Sequence, residues 1–115
     1  IDLNGLDGAE IFDLQQPIDL PPADIVTNHG TTEHVPNQEA CFANIDRLCK
    51  AGGYMVHQVP LVGTWLDHPN CYHRYTLNNF VDLANKYGYE IIENRELNEG
   101  MYINSNNMIW CILRK

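Results

Sequence analysis

The sequence predicts an α/β fold with a mostly parallel sheet that closes in a C-terminal antiparallel hairpin and carries helices on its faces. Short apolar segments of strand length alternate with two segments whose apolar side chains recur at helical spacing. Strands that alternate with such helices are typical of parallel sheets. The last two strand-like segments have no helix between them, which favours an antiparallel pair.

The first part of the chain contains three predicted strands. Residues 1–4 and 9–13 are two short ones, separated by a glycine-rich turn. Three prolines within residues 14–22 predict a loop, because proline fixes φ and removes a backbone donor. The third strand, residues 23–28, runs into polar side chains. Polar groups at the end of a buried strand predict a ligand site, since ligands of open α/β sheets bind there.

Both predicted helices have start and stop signals. Asn37 is the expected N-cap of the first helix, and Gly52 and Gly53 are expected to end it. Thr76 is expected to cap the second helix, which ends at Gly88. The remaining strands are predicted at residues 54–59, 89–93 and 108–113.

The composition argues against two classes of partner. The chain has 15 acidic and 7 basic residues and a net charge of -8. Phosphate binding needs clustered lysine and arginine, so nucleic acid is not expected as the main partner. The apolar stretches are too short to cross a membrane, and the amino end lacks the character of a signal peptide. A small molecule suits this composition better.

The four cysteines predict a reducing environment. Cys41, Cys49, Cys71 and Cys111 form no CxxC pair, and two of them lie in apolar periodic segments. We interpret them as reduced, mostly buried thiols of a cytoplasmic protein.

A metal site is the weakest of the hypotheses that the residues suggest. It would use His57, His68, Cys71 and His73, which are all possible ligands. The spacing H-x-x-C-x-H is not a standard zinc pattern, and we therefore expect no metal.

Three segments follow one another in the order and spacing of a known family. They are ADIVTNHGTTEHV at residues 23–35, RLCKAGGYMVHQVP at 47–60 and FVDLANKYGYEII at 80–92. They resemble the region from the fourth to the sixth strand of class I S-adenosylmethionine-dependent methyltransferases. The resemblance implies a partial Rossmann-like sheet in a single domain, residues 1–115. It also implies S-adenosylmethionine as cofactor and methyl transfer to a small-molecule acceptor of unknown identity.

The resemblance assigns roles to residues at the ends of three strands. Asp2 resembles the acidic residue that binds the ribose hydroxyls, and a carboxylate suits a vicinal diol because it accepts two hydrogen bonds. Asp13 resembles the residue that receives the adenine amino group. Asn28 and Gly30 resemble residues beside the methionine part of the cofactor, and His29 is the expected catalytic base.

Each assignment has an alternative without a ligand. Asp2 and Asp13 are also ordinary turn formers, and His29 is also consistent with a hydrogen-bonded structural histidine. We expect Glu33 and His34 to stabilise the turn and the following helix, with His34 facing the pocket as the alternative.

The resemblance places the loop after the fifth strand over the substrate pocket. Trp65, His68, Tyr72 and His73 would there shape the acceptor site. The alternative is a packed loop with aromatic anchors.

One motif of the family is missing from the sequence. No glycine-rich loop of the type E/D-x-G-x-G-x-G occurs, and Gly5 and Gly8 follow a different strand. We therefore expect a truncated domain that alone is inactive and binds S-adenosylmethionine poorly or not at all. We also expect it to form homo-oligomers through exposed sheet edges. The rival hypothesis is a non-catalytic oligomerising fragment that binds no cofactor.

Overall fold

A computed structural model of the chain describes residues 1–63, 70–97 and 107–115. Its helices and longer strands are β1 (Ala23–His29), α1 (Gln38–Leu48), β2 (Cys49–Pro60), α2 (Leu77–Tyr87), β3 (Glu90–Leu97) and β4 (Met108–Arg114). The four strands form a sheet in the order β1-β2-β4-β3. β1 and β2 are parallel, and β4 runs antiparallel to both of its neighbours. Three strands therefore share one direction, and the predicted antiparallel pair of the last two strands is confirmed.

The helix caps form at three predicted positions. The side chain of Asn37 accepts a hydrogen bond from the backbone N–H of Ala40 at 3.1 Å. Thr76 and Asn79 form a reciprocal capping box at the start of α2. Gly88 ends α2 in the left-handed conformation with a φ of 75°. Among the described residues no helix is long and apolar enough to cross a membrane.

The predicted end of the first helix is wrong. α1 ends at Leu48, and Gly52 and Gly53 lie within β2. A Cβ atom on Gly53 would lie 2.8 Å from the backbone oxygen of Asp24. The second glycine is therefore required because β1 approaches β2 closely, and it does not terminate a helix.

The two predicted strands at residues 1–4 and 9–13 are also wrong. They meet only in an isolated parallel bridge between Asp2 and Ile11 and do not join the sheet. A 3-10 turn, Leu6–Gly8, separates them. A strand needs a neighbour along its length to satisfy its backbone groups. Within the described part of the chain these two segments pair only with each other, through one bridge.

Asn44 of α1 anchors the proline-containing loop at residues 14–22. Its Oδ1 accepts a hydrogen bond from the backbone N–H of Ile18 at 3.2 Å. Its Nδ2 donates to the backbone oxygens of Leu14 and Gln16, each at 2.8 Å. The proline-rich segment is thereby held against the helix by one buried side chain.

The core lies between the two helices and a single face of the sheet. It contains buried residues of α1, α2, β2 and β4, among them Cys41, Ile45, Phe80, Ala84, Met55, Val59, Ile109, Cys111 and Leu113. In β2 and β4 these are alternate residues, which point to the same face of a strand pair. Both helices therefore cover this face.

Apolar side chains are exposed on the opposite face. Ile25 and Tyr54 are neighbours in register, and 61% and 40% of their respective surfaces are exposed. Val56 and Ile112 pair beside them and are half-buried. The sheet therefore carries a second apolar surface that neither helix covers. We refer to it as the open face.

We predict that replacing Asn44 with alanine lowers the free energy of unfolding by about 2 kcal/mol, because buried backbone groups lose their partners. Urea unfolding would measure the change. Asn85→Ala, at an exposed position of α2, is the matched control and should change stability by less than about 0.5 kcal/mol. Equal effects of the two variants would contradict the anchoring role.

Candidate functional site

The side chain of Asn28 stabilises the turn after β1 through hydrogen bonds. Its Nδ2 lies 2.9 Å from Thr32 Oγ1 and 3.0 Å from His57 Nδ1. Its Oδ1 accepts a hydrogen bond from the backbone N–H of Thr32 at 3.2 Å. Asn28 is buried, and both of its N–H groups are engaged within the protein. This side chain therefore supports the turn, and both of its N–H groups already have partners within the protein.

A second set of contacts ties the turn to the start of α1. Tyr75 Oη lies 2.6 Å from Gln38 Oε1 and 3.0 Å from Thr32 Oγ1. Gln38 Nε2 donates to the backbone oxygens of Thr32 and Val35, each at 2.7 Å. Burial raises the pKa of Tyr75, so the phenol stays protonated. The turn is thus hydrogen-bonded to the strand before it and to the helix after it.

His57 is a neutral core residue. Its ring lies between Phe42 and Phe80, with centroid distances of 6.0 Å and 5.1 Å. Burial, and to a smaller extent the charge of His29, lower the pKa of His57 to about 4. Among the described residues its Nε2 has no hydrogen-bond partner. A metal bound to His57 would need further ligands, and other side chains would have to reach it inside the aromatic cage. This buried, neutral imidazole is therefore poorly suited to bind a metal.

A cavity of about 210 Å³ lies outside the carboxyl end of β1. Asp2, Asp13 and Gly30 line it, together with Thr31 and His34. Three of the four predicted cofactor-binding residues therefore meet at one cavity, although they come from separate parts of the chain. Gly30 has a φ of 65°, a conformation that glycine adopts at little cost.

The two acidic residues of the cavity also form local turns. Asp2 Oδ1 accepts a hydrogen bond from the backbone N–H of Asn4 at 3.0 Å. Asp13 Oδ1 accepts from the backbone N–H of Gln15 at 2.9 Å. In the described part of the chain, Oδ2 of each carboxylate makes no hydrogen bond. The turn role therefore uses one oxygen of each residue, and the second can accept from a ligand.

His29 lies apart from this cavity. It follows Asn28 in β1, so its side chain is on the open face. Its Nδ1 is 3.2 Å from Gln58 Oε1, and its ring centroid is 6.3 Å from that of Trp110. The described residues that line the cavity do not include His29.

His34 lines the cavity, which was the expected alternative to a role in stabilising the turn. Its Nδ1 lies 2.8 Å from the backbone oxygen of Asn70, and its Nε2 lies 3.9 Å from Glu33 Oε1. It sits in the 3-10 turn Thr32–His34, where neither strand nor α-helix periodicity predicts the direction of a side chain. In the sequence, the signal for His34 is the polar motif TTEHV at residues 31–35.

The predicted acceptor residues are only partly described, because Trp65 and His68 lie outside the described residues. Tyr72 is exposed, and its backbone N–H donates to the backbone oxygen of Glu33 at 2.9 Å. His73 lines a different groove, of about 390 Å³, between α1 and α2. The structure thus separates His73 from the cavity with Asp2 and Asp13.

The described residues do not favour a metal site. His73 Nε2 is 3.2 Å from the backbone oxygen of Pro36, and Cys71 Sγ donates to the backbone oxygen of His73 at 3.4 Å. No group of three or more possible ligands that could hold a metal occurs among residues 1–63, 70–97 and 107–115. The fourth proposed ligand, His68, is outside these ranges.

Comparisons with known proteins identify the fold. A family model described as a methyltransferase domain matches residues 9–57. The chain superposes with a TM-score of 0.69 and 13% identity on 1,6-didemethyltoxoflavin-N1-methyltransferase of Burkholderia thailandensis, which contains bound S-adenosylhomocysteine. The chain has the fold of the class I S-adenosylmethionine-dependent methyltransferases. The curated proteins include no match to it.

Two further structures share the methyltransferase fold of the chain. An S-adenosylmethionine-dependent methyltransferase of Methanosarcina mazei has a TM-score of 0.72 and 13% identity. The [4+2]-cyclase SpnF has a TM-score of 0.69 and 10% identity. The three matches cover 89%, 92% and 92% of this chain. The chain spans 48%, 66% and 54% of the respective structures.

We predict that acid destabilises the folded chain through His57. The pKa of this residue falls from 6.5 to about 4 on folding, so its contribution is complete above pH 6.5 and decreases as the pH falls towards 4. The loss should be about 1 kcal/mol at pH 5.5 and about 3 kcal/mol at pH 4.5.

Urea unfolding of the wild type and of His57→Phe at each pH would measure this contribution. Carboxylates titrate in both proteins, so the difference between the two isolates the histidine. The prediction is wrong if that difference does not vary between pH 7.5 and pH 4.5.

Proposed function

We propose that this chain is part of an S-adenosylmethionine-dependent methyltransferase that acts on a small-molecule acceptor. The observation that carries the proposal is the cavity at the carboxyl end of β1, which Asp2, Asp13 and Gly30 line together. Ligands of open α/β sheets bind in crevices at this end of the strands. The fold of the chain supports the same proposal.

The proposed cofactor contacts divide between carboxylates and backbone. Asp2 would accept hydrogen bonds from the ribose hydroxyls through its Oδ2, and Asp13 would accept one from the adenine amino group. Phe12 and Leu14 also line the cavity and offer apolar contact to a planar base. Gly30 lets the backbone approach the methionine part. The bound cofactor supplies a methyl group on a positively charged sulfur, which is ready for displacement.

The protein's contribution to such a reaction is mainly alignment of acceptor and methyl group. His29 stays our proposed base for an acceptor that reaches it from the open face. If its Nδ1–H donates to Gln58 Oε1, the lone pair of Nε2 is available to take a proton. Tyr72 is the better situated of the two described acceptor residues, because His73 lines the groove between the helices. Trp65 and His68 are proposed from the resemblance alone.

A second function is a non-catalytic module that self-associates and binds no cofactor. The open face favours it, since exposed Ile25 and Tyr54 would be buried in an oligomer. The fold does not decide between the two functions, because one fold can host unrelated activities. The [4+2]-cyclase SpnF, for example, shares this fold. For either function we propose a cytoplasmic homo-oligomer. In the methyltransferase the sheet edges would form the interface, which leaves the open face accessible at His29, and in the non-catalytic module the open face would form it.

We predict weak binding of S-adenosylhomocysteine at the cavity, with a dissociation constant on the order of 1 mM, since the chain lacks a glycine-rich loop. Nuclear magnetic resonance titration should show shifts of the Gly30 and Thr31 amides. Asp2→Asn and Asp13→Asn should each weaken binding about tenfold, because an amide offers a poorer acceptor than a carboxylate.

Asp82→Asn, in the groove between the helices, is the matched control and should leave the titration unchanged. Three results would count against the cofactor site: no shifts at millimolar ligand, shifts that all three variants leave intact, or shifts confined to the groove.

For the non-catalytic module we predict self-association through the open face. Light scattering should give a molecular mass that rises with concentration, and Ile25→Lys should lower it because a charge would be buried at the interface. Val81→Lys, an exposed apolar position on α2, is the control and should not change the mass. A monomer at every concentration would refute this prediction.

A further inference from the structure

The hydrogen bonds of Asn28 permit one arrangement of protons. A backbone N–H can only donate, so the atom that faces the N–H of Thr32 is the amide oxygen. The amide nitrogen therefore faces Thr32 Oγ1 and His57 Nδ1 and donates one N–H to each. His57 Nδ1 must then accept, which puts the ring proton on Nε2. The tautomer of a buried histidine is thus determined by its neighbour.

The same reasoning extends through Thr32 to the start of α1. The amide of Gln38 is oriented by the two backbone oxygens that its Nε2 contacts, so its Oε1 faces Tyr75 as an acceptor. Tyr75 donates to Gln38, and the hydroxyl proton of Thr32 is left to donate to Tyr75 Oη. These hydrogen bonds connect His57 of β2 to Gln38 of α1, and donation runs outward from the Asn28 amide in both directions. We call this set of hydrogen bonds the buried relay.

Within the buried relay, water cannot replace the partners of Asn28, Thr32 and His57. The exposed fractions of Asn28, Thr32 and His57 are 3%, 1% and 0%. A polar group that loses its partner in such a place keeps the full cost of its desolvation. The loss of the acceptor at His57 would therefore leave the Asn28 amide without a substitute partner.

We propose that His57 is a positioning residue for the turn at residues 30–34. It acts through Asn28, whose orientation decides whether the backbone N–H of Thr32 has an acceptor. That turn carries Gly30, Thr31 and His34 into the cavity. The identity of the ligand that contacts this turn rests on the proposed function. The role of His57 in the geometry of the turn does not.

A proton on His57 Nδ1 would break this arrangement. The N–H groups of the imidazolium and of the Asn28 amide would then face each other, and the amide would have to turn over. Three titratable groups that pack nearby are uncharged at neutral pH. Burial raises the pKa of Cys41 and of Cys111 to about 12, and Tyr75 is also protonated. Two further titratable neighbours are His29, on the opposite face of β1, and Glu33, which is buried in the same turn and acts on Tyr75.

The wild-type chain provides the first test. Nitrogen-15 spectra of the His57 ring at pH 7.5 should show a protonated Nε2 and an unprotonated Nδ1 that accepts a hydrogen bond. The opposite tautomer, or a charged ring, would overturn the proposal without any variant.

The second test uses amide hydrogen exchange in two matched variants. His57→Phe fits the aromatic cage but removes the acceptor, and Val59→Ala opens a small cavity in the same strand and on the same face. In His57→Phe the Thr32 amide should exchange at least tenfold faster relative to the Met55 amide. In Val59→Ala the two amides should change together. An unchanged ratio in His57→Phe would overturn the proposal.

A conservative variant separates positioning from packing. His57→Gln offers an oxygen to Asn28 and should restore most of the Thr32 protection, even if His57→Phe does not fold. If the Thr32 amide of His57→Gln is no better protected from exchange than an amide in an unfolded turn, the proposal is overturned. S-adenosylhomocysteine is then titrated into the wild type and the variants. If the wild type shows no shifts, the proposed function fails while the exchange result stands. If it binds, His57→Phe should weaken binding about tenfold.

Discussion

The hydrogen bonds of the Asn28 amide are the interaction on which the rest of this site depends. One side chain joins the end of β1, the turn after it and the neighbouring strand β2. Because this amide is buried and fully bonded, the turn has little freedom to adopt another shape. Polar residues at the end of a strand thus serve two purposes here. Asn28 and Thr32 build the turn, and Gly30 and Thr31 face the cavity.

The sheet is asymmetric, and this constrains where function can lie. Both helices pack on one face, where the side chains of His57 and Met55 are buried. The opposite face carries Ile25 and Tyr54, and on it His29 contacts Gln58. A chemical role for His29 therefore requires access from the open face, whereas the carboxylates lie at the edge of the sheet. His29 on the open face and Gly30 at the cavity are consecutive residues, so the two parts of the proposed site adjoin at the start of the turn.

The methyltransferase fold accounts for the cavity without deciding its use. Asp2 and Asp13 each engage one carboxylate oxygen in a local turn and keep a second oxygen for another partner. The structural and the ligand-binding interpretations of these residues are therefore compatible. The glycine-rich backbone that would cradle the rest of the cofactor is absent from the sequence. Affinity would have to come from the few polar groups of one cavity.

The sequence by itself determined the elements whose signals are local. Asn37, Thr76 and Gly88 cap their helices through contacts within a few residues, so periodicity and capping rules predicted them. The residue types at the strand ends also pointed to a ligand site. Tertiary structure alone decided the rest. The insertion of β4 between β2 and β3 depends on pairing between distant segments, and the glycine at position 53 reflects the approach of another strand. Which polar residue faces the cavity and which faces the core was set by burial, because a strand sends successive side chains to opposite faces.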